Sequence, residues 1–158
     1  AANGGAIFLS GASVAELANT TILHTAATVS GGAIMTAGGS SCTLRDGCVL
    51  FNTTSFSEGG ALFLSGGAVY AYDTSLLNST GQRGGALYTD AGTITLVRCV
   101  VLGAASTRDG GAVFVTGGSV VLLHTHVLSS RATWSGGAAY LRSGSLSVGD
   151  GCRLADAS

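Results

Sequence analysis

The sequence predicts an all-β fold, a right-handed parallel β-helix (a solenoid) of six coils with three short strands in each. Three observations carry that prediction. A repeat of about 26 residues spans the whole chain, its copies consist of short strand-forming runs broken by glycine, and no run has room for an ordinary helix. The tripeptide Gly-Gly-Ala begins at Gly4, Gly31, Gly59, Gly84, Gly110 and Gly136, at spacings of 27, 28, 25, 26 and 26 residues.

Within a copy the elements follow a fixed order. Gly-Gly-Ala opens a first run, from Ile7-Phe8-Leu9 in the first copy to Ala139-Tyr140-Leu141 in the last. A second run follows the next glycine, as in Val120-Val121-Leu122-Leu123. A third and weaker one precedes the next copy, as in Val100-Val101-Leu102. Val, Ile, Leu, Thr and aromatics fill these runs while Gly, Ser, Asp and Asn separate them, which is strand-and-turn chemistry. Three strands and three turns in about 26 residues close one coil, and neighbouring coils hydrogen-bond to each other. Six coils at ~4.8 Å per step make a rod of about 29 Å. A helical array needs a helix in every repeat, and a propeller blade needs about 40–45 residues. Residues 1–158 are expected to form a single segment of this kind, cut from a longer repeat protein, because a solenoid edge needs a cap and neither end reads as one.

Composition removes several classes. The 158 residues include 26 glycines and no proline, and all seven basic residues are arginine, for a net charge of −1. A nucleic-acid binder needs a basic face to neutralise phosphates, and this chain has none to offer. No apolar run approaches the ~20 residues of a membrane-spanning helix. The chain is too apolar for disorder, and its glycines lack the period of collagen.

Gly-Gly-Ala followed by Ile, Leu or Val resembles the repeat of the chlamydial polymorphic outer-membrane protein family. Similar repeats occur in large surface proteins of other organisms, including extracellular proteins of algae. The resemblance covers all six copies. The family's second motif, Phe-x-x-Asn, has Phe51-Asn52 and Leu77-Asn78 as its nearest counterparts. The resemblance implies a right-handed β-helix in a surface adhesin or scaffold, with no catalytic residues to carry over.

In a β-helix equivalent positions stack, so columns are the units to read. One column holds Phe8, Met35, Phe63, Tyr88, Phe114 and Tyr140, beside a second column of Ile7, Ile34, Leu62, Leu87, Val113 and Ala139. Side chains alternate faces along a strand, so one column enters the core. The other is either a tolerated apolar stripe or a contact surface. The aromatic column is the candidate interaction ladder. Val14, Val69, Ile94, Val120 and Leu146 are expected to be core, as are Ile22, Leu50, Leu77, Leu102, Leu128 and Leu154. Before each Gly-Gly stand Asn3, Ser30, Glu58, Arg83, Asp109 and Ser135, an order that suits an acid–base–acid ion-pair ladder at its centre. A second charged column reads Asp46, Asp73, Arg98, His124 and Asp150. Paired carboxylates about 5 Å apart with an arginine could act on a polysaccharide, but a compensating ladder at a turn is the preferred reading.

Four cysteines form no metal-ligand spacing. Cys48 and Cys152 share a column four coils apart and are expected to be small buried residues. Cys42 and Cys48 share a coil, where a disulfide is sterically conceivable. His124 and His126 are expected to face opposite ways rather than to pair as ligands, and no cofactor or metal is expected. Asn19, Asn52 and Asn78 each open an Asn-x-Thr glycosylation acceptor, so three of the four asparagines do so. That points to a eukaryotic secretory route and an extracellular or cell-surface location. The replacement of all lysine by arginine, with abundant Ala and Gly, points to a GC-rich genome such as that of a green alga.

The expected function is therefore non-enzymatic: a scaffold rod of a cell-surface, cell-wall or appendage assembly. Its expected partners are other proteins of that assembly or further coils of the same chain. The alternatives are an adhesin or carbohydrate-binding module, with glycans as partners, and a polysaccharide lyase or hydrolase using Asp46, Asp73, Arg98 and His124.

Overall fold

Two constraints meet at every Gly-Gly-Ala and explain why each coil begins there. In the computed structural model, which describes residues 1–158, Gly84 has φ +63° and a Cβ on it would collide with the Leu87 carbonyl of its own coil. A Cβ on Gly85 would instead collide with the Gly111 carbonyl of the next coil. The first glycine permits the turn and the second the close approach of coils.

Strands occupy the rest, and there is no helix to cross a membrane. Coil 1 contains β1 (Ile7–Leu9), β2 (Val14–Ala18), β3 (Thr21–Leu23) and β4 (Ala26–Ala27). Coil 2 contains β5 (Ile34–Ala37), β6 (Ser41–Arg45), β7 (Val49–Phe51) and β8 (Thr54–Ser55). In coils 3 and 4 the first two runs fuse, giving β9 (Leu62–Tyr72), β10 (Ser75–Leu77) and β11 (Thr80–Arg83), then β12 (Leu87–Val97), β13 (Val100–Leu102) and β14 (Ala105–Asp109). Coil 5 has β15 (Val113–Val115), β16 (Ser119–Leu123), β17 (His126–Leu128) and β18 (Arg131–Ala132). Coil 6 has β19 (Ala139–Leu141), β20 (Ser145–Val148) and β21 (Arg153–Ala155).

All pairing is parallel, coil to next coil, in three sheets. The first sheet is bent. One limb runs β1-β5-β9-β12-β15-β19 and the other β2-β6-β9-β12-β16-β20. The second sheet is β3-β7-β10-β13-β17-β21 and the third is β4-β8-β11-β14-β18. The three runs read from the sequence are all strands, two of them limbs of the first sheet. The third sheet lies in segments of Ala, Ser, Thr and Gly that carry little apolar signal. A parallel β-solenoid of six coils is thus the fold. Inner strands donate N–H groups to both neighbouring coils, as Leu62 does to Ala86 of the following coil (2.8 Å) and Ala68 to Ser40 of the preceding one (2.9 Å). Proline could not do so, which accounts for its absence.

The core is a set of inward columns. Ile34, Leu62, Leu87 and Val113 form one, Cys42, Val69, Ile94 and Val120 another, and Leu44, Ala71, Leu96 and Leu122 a third. Two expected columns need correction. Val14 pairs with Ser41 and is 77% exposed, so Ala15 is the inward residue beside Cys42. In the second sheet the inward column is Ile22, Leu50, Leu76, Val101, Val127 and Leu154, which places Leu77, Leu102 and Leu128 on the outer face. The error is one residue, and one residue reverses the face in a strand.

The irregular spacings lie at corners. Gly47 adds a residue to the corner after β6, and coil 3 has only Gln82 before Arg83 where its neighbours have two residues, Phe56-Ser57 before Glu58 and Thr107-Arg108 before Asp109.

Candidate functional site

The candidate ladder has the expected register: Phe8, Met35, Phe63, Tyr88, Phe114 and Tyr140 pair in succession. It is separate from the core and lies on the outer face of the first sheet. Yet Phe63, Tyr88 and Phe114 are only 8, 9 and 3% exposed, so over the middle coils the column is no contact stripe. Coils one strand spacing apart let flat rings cover one another. Centroids are 5.1, 5.3 and 5.1 Å apart from Phe63 to Tyr140, with planes within 19° of parallel. The Tyr88 hydroxyl meets that of Thr116 at 3.2 Å, and burial pushes its pKa up. Arg83 lies over Phe114, its Cζ 6.0 Å from the centroid.

The ion-pair ladder forms on one side only. Arg83 Nη1 is 3.1 Å from Glu58 Oε1, and the Ser30 hydroxyl donates to Glu58 Oε2 at 3.1 Å. Asp109 is next to Arg83 in the stack but makes no ion pair with it.

The second charged column is a corner of the coil. Asn19, Asp46, Asp73, Arg98 and His124 all have left-handed φ, between 47° and 58°. In coil 6 the corner passes to Gly151, one residue after Asp150. The chain turns inward after each of these residues. Asn and Asp tolerate this conformation because their short polar side chains hydrogen-bond locally. Arg98 grips Asp73 with both carboxylate oxygens engaged, Nε to Oδ1 at 2.7 Å and Nη2 to Oδ2 at 2.8 Å. Those hydrogen bonds hold Asp73 below the usual carboxylate range and raise Arg98. Arg45 pairs with Glu16 at 2.6 Å and also with Asp46.

A second left-handed corner holds His24, Asn52, Asn78, Gly103, Ser129 and Asp156. Asn52 and Asn78 therefore do share a column, whereas Asn19 belongs to the other corner. Asn19 and Asn78 are exposed and Asn52 is half-buried, its Nδ2 3.5 Å from His24 Nδ1. Each is followed by an inward hydroxyl residue: Thr20, Thr53 or Ser79.

After the first corner, Thr20, Cys48, Thr74, Cys99, Thr125 and Cys152 alternate in one inward column. Cys99 joins Cys48 and Cys152 there, which the spacing did not reveal. These groups satisfy the turn: Cys48 Sγ donates to the Arg45 carbonyl (3.2 Å) and Thr125 Oγ1 to that of Leu123 (3.0 Å). The disulfide considered for Cys42 and Cys48 is not formed; both are free, buried thiols in different columns. Burial, with Cys48 nearby, pushes Cys42 up to about 11, and burial also raises Cys99. His124 and His126 are both exposed, and the inward residue between them is Thr125.

The outer face of the second sheet went unrecognised. Leu23, Phe51, Leu77, Leu102 and Leu128 stack there, flanked by Val49 and Val100. Leu23 and Leu102 are 50 and 39% exposed. The corner residues were the usable signal, since the residue two before each left-handed position faces inward and the one immediately before it faces out.

Compared with protein-family models, with curated protein sequences and with solved structures, the chain matches none.

Proposed function

We propose that the chain is a non-enzymatic scaffold rod of an extracellular cell-surface, cell-wall or appendage assembly, docking another protein of that assembly through the outer face of the second sheet. The observation that carries the reading is the outward apolar column of Leu23, Phe51, Leu77, Leu102 and Leu128, one large apolar side chain per coil over five coils. A contiguous apolar stripe rimmed by polar corners is the usual mark of an interface. The resemblance to surface β-helix repeats and the three Asn-x-Thr acceptors support the location.

The enzymatic alternative is less well supported. Asp73 has both carboxylate oxygens taken by Arg98, and Asp46 is bound by Arg45. Neither is poised to move a proton.

The test uses an antibody to this segment on intact cells of the source organism. The epitope is expected on the unpermeabilised surface, and the L77D/L102D double variant is expected to appear in the medium rather than in the assembly. Detection only after permeabilisation, or full retention of the double variant, would overturn the proposal.

A further inference from the structure

The short coil leaves a hole. Between the third-sheet positions Ala27, Ser55, Ser106 and Ala132 and the residue that immediately precedes the next Gly-Gly, coils 1, 2, 4 and 5 place two residues: Thr28-Val29, Phe56-Ser57, Thr107-Arg108 and Thr133-Trp134. Coil 3 places only Gln82, and the N–H groups of Gln82 and Arg83 both donate to the Ser57 carbonyl, at 2.7 and 3.2 Å. Coil 3 is thus one residue short between Phe56 of coil 2 and Thr107 of coil 4. The resulting notch has a volume of about 200 Å³ and is lined by Thr54, Ser55, Phe56, Thr80, Gly81, Gln82 and Thr107.

We infer that this notch is a binding subsite for one ring unit of a neutral saccharide. Its volume is below the ~300 Å³ at which pockets for drug-sized ligands begin, so it suits a single small ring. Its chemistry fits a polyol. Its exposed walls are mostly carbon, which suits the apolar face of a sugar ring, while the lining residues Thr54, Thr80, Thr107 and Gln82 carry hydroxyl and amide groups that both donate and accept. Phe56, 68% exposed, supplies an aromatic face for the apolar side of a sugar ring. No charged side chain lines the notch, so an acidic sugar has no counter-ion there. So small a contact gives weak affinity, with a dissociation constant in the millimolar range. In a polymer, several rods would engage one chain and strengthen binding by avidity. The subsite is separate from the apolar face of the second sheet and stands whether or not that face docks a protein.

The test titrates the chain with methyl glycosides of glucose, galactose, mannose, arabinose and N-acetylglucosamine, and with glucuronate, following backbone amide shifts by NMR. At least one neutral glycoside is expected to shift the amides of residues 54–56, 80–82 and 107 saturably, with glucuronate weaker than its neutral counterpart. Inserting one serine after Gln82 restores the common spacing and is expected to abolish those shifts. Because the insertion could disturb folding, Phe56→Ala at the surface provides a second check, with at least a tenfold loss expected. Trp134→Ala, at the same corner one coil beyond Thr107 and outside the lining of the notch, is expected to bind as wild type. Absence of shifts with every glycoside, shifts that survive both the insertion and Phe56→Ala, or tighter binding of glucuronate would overturn the inference.

Discussion

Two outward columns, one residue per coil in each, have opposite fates. The aromatic column on the first sheet is closed over the middle coils: Phe114 is 3% exposed, stacked between Tyr88 and Tyr140. The largely aliphatic column on the second sheet is more open: Leu23 and Leu102 are 50 and 39% exposed, and Phe51, Leu77 and Leu128 are half-buried. Both point away from the core, so the direction of a side chain does not settle its burial. Flat rings one strand spacing apart cover each other's faces, whereas branched aliphatic chains leave part of their surface to solvent. The middle of the aromatic column is therefore packed, and the largely aliphatic one keeps apolar surface in contact with solvent.

The most severe way to break this comparison is to remove the coil spacing that both columns share. Gly85→Val places a branched side chain against the Gly111 carbonyl. We expect loss of more than about 4 kcal/mol, or no cooperative unfolding at all, since backbone must move to relieve the clash. A thermal melt followed by far-UV circular dichroism that overlays the wild type would refute that account.

Sharpening the comparison needs one substitution in each column. Phe114→Ala removes a nearly buried ring and two stacking partners and is expected to cost about 3–4 kcal/mol. Leu102→Ser removes a half-exposed chain from the outer face and is expected to cost no more than about 1 kcal/mol. Urea unfolding of the two variants measures the difference directly. Equal losses would mean that the aliphatic column is structural too.

The coil count, the repeat boundaries and the register of the aromatic column were legible in the sequence because Gly-Gly-Ala marks a backbone constraint that few other residues satisfy. The second sheet was less legible. Its runs are only three residues long, so alternation gives two choices of face and no longer pattern to decide between them. Ile22, Leu50 and Leu154 lie in the expected column, while Leu77, Leu102 and Leu128 lie one position outside it. The glycosylation acceptors show another limit. A left-handed corner favours Asn, the next position favours a small buried hydroxyl, and an outward Thr then opens a strand. Asn52-Thr53-Thr54 fits those fold requirements as well as it fits an acceptor. The notch at Gln82 was visible as a 25-residue spacing, but its consequence depends on which corner lost the residue.

Corners decide which residues face out, so they offer a finer test. His124 is left-handed at φ 49°, and its position in the turn precedes the buried Thr125 and the outward His126. His124→Val puts a β-branched residue into a conformation it strongly disfavours, with an expected loss of about 1–2 kcal/mol. His124→Asn is expected to hold or gain slightly, because Asn is at home there. The same urea titration reads both, and a neutral valine variant would show that the corner can relax without disturbing Val127 and Leu128.

The smallest effect concerns the charge at that corner one coil further back. Hydrogen bonds from Arg98 lower the folded-state pKa of Asp73 against the opposing pull of desolvation. A depressed folded-state pKa means that the pair's contribution is fully present above the unfolded carboxylate value of about 3.9 and disappears as pH falls through the folded one. Both partners are exposed, so the effect on stability is small and the titration itself is the better readout. Arg98→Asn keeps a residue that accepts the left-handed turn while removing the guanidinium. By carboxylate NMR, Asp73 is expected to titrate below the ordinary value in the parent and to rise toward it in the variant. An unchanged midpoint would separate the carboxylate from Arg98 and reopen the column to other chemistry. The expected rise would identify Asp73 as an anion held for a turn, on a corner that divides the exposed face from the rest of the rod.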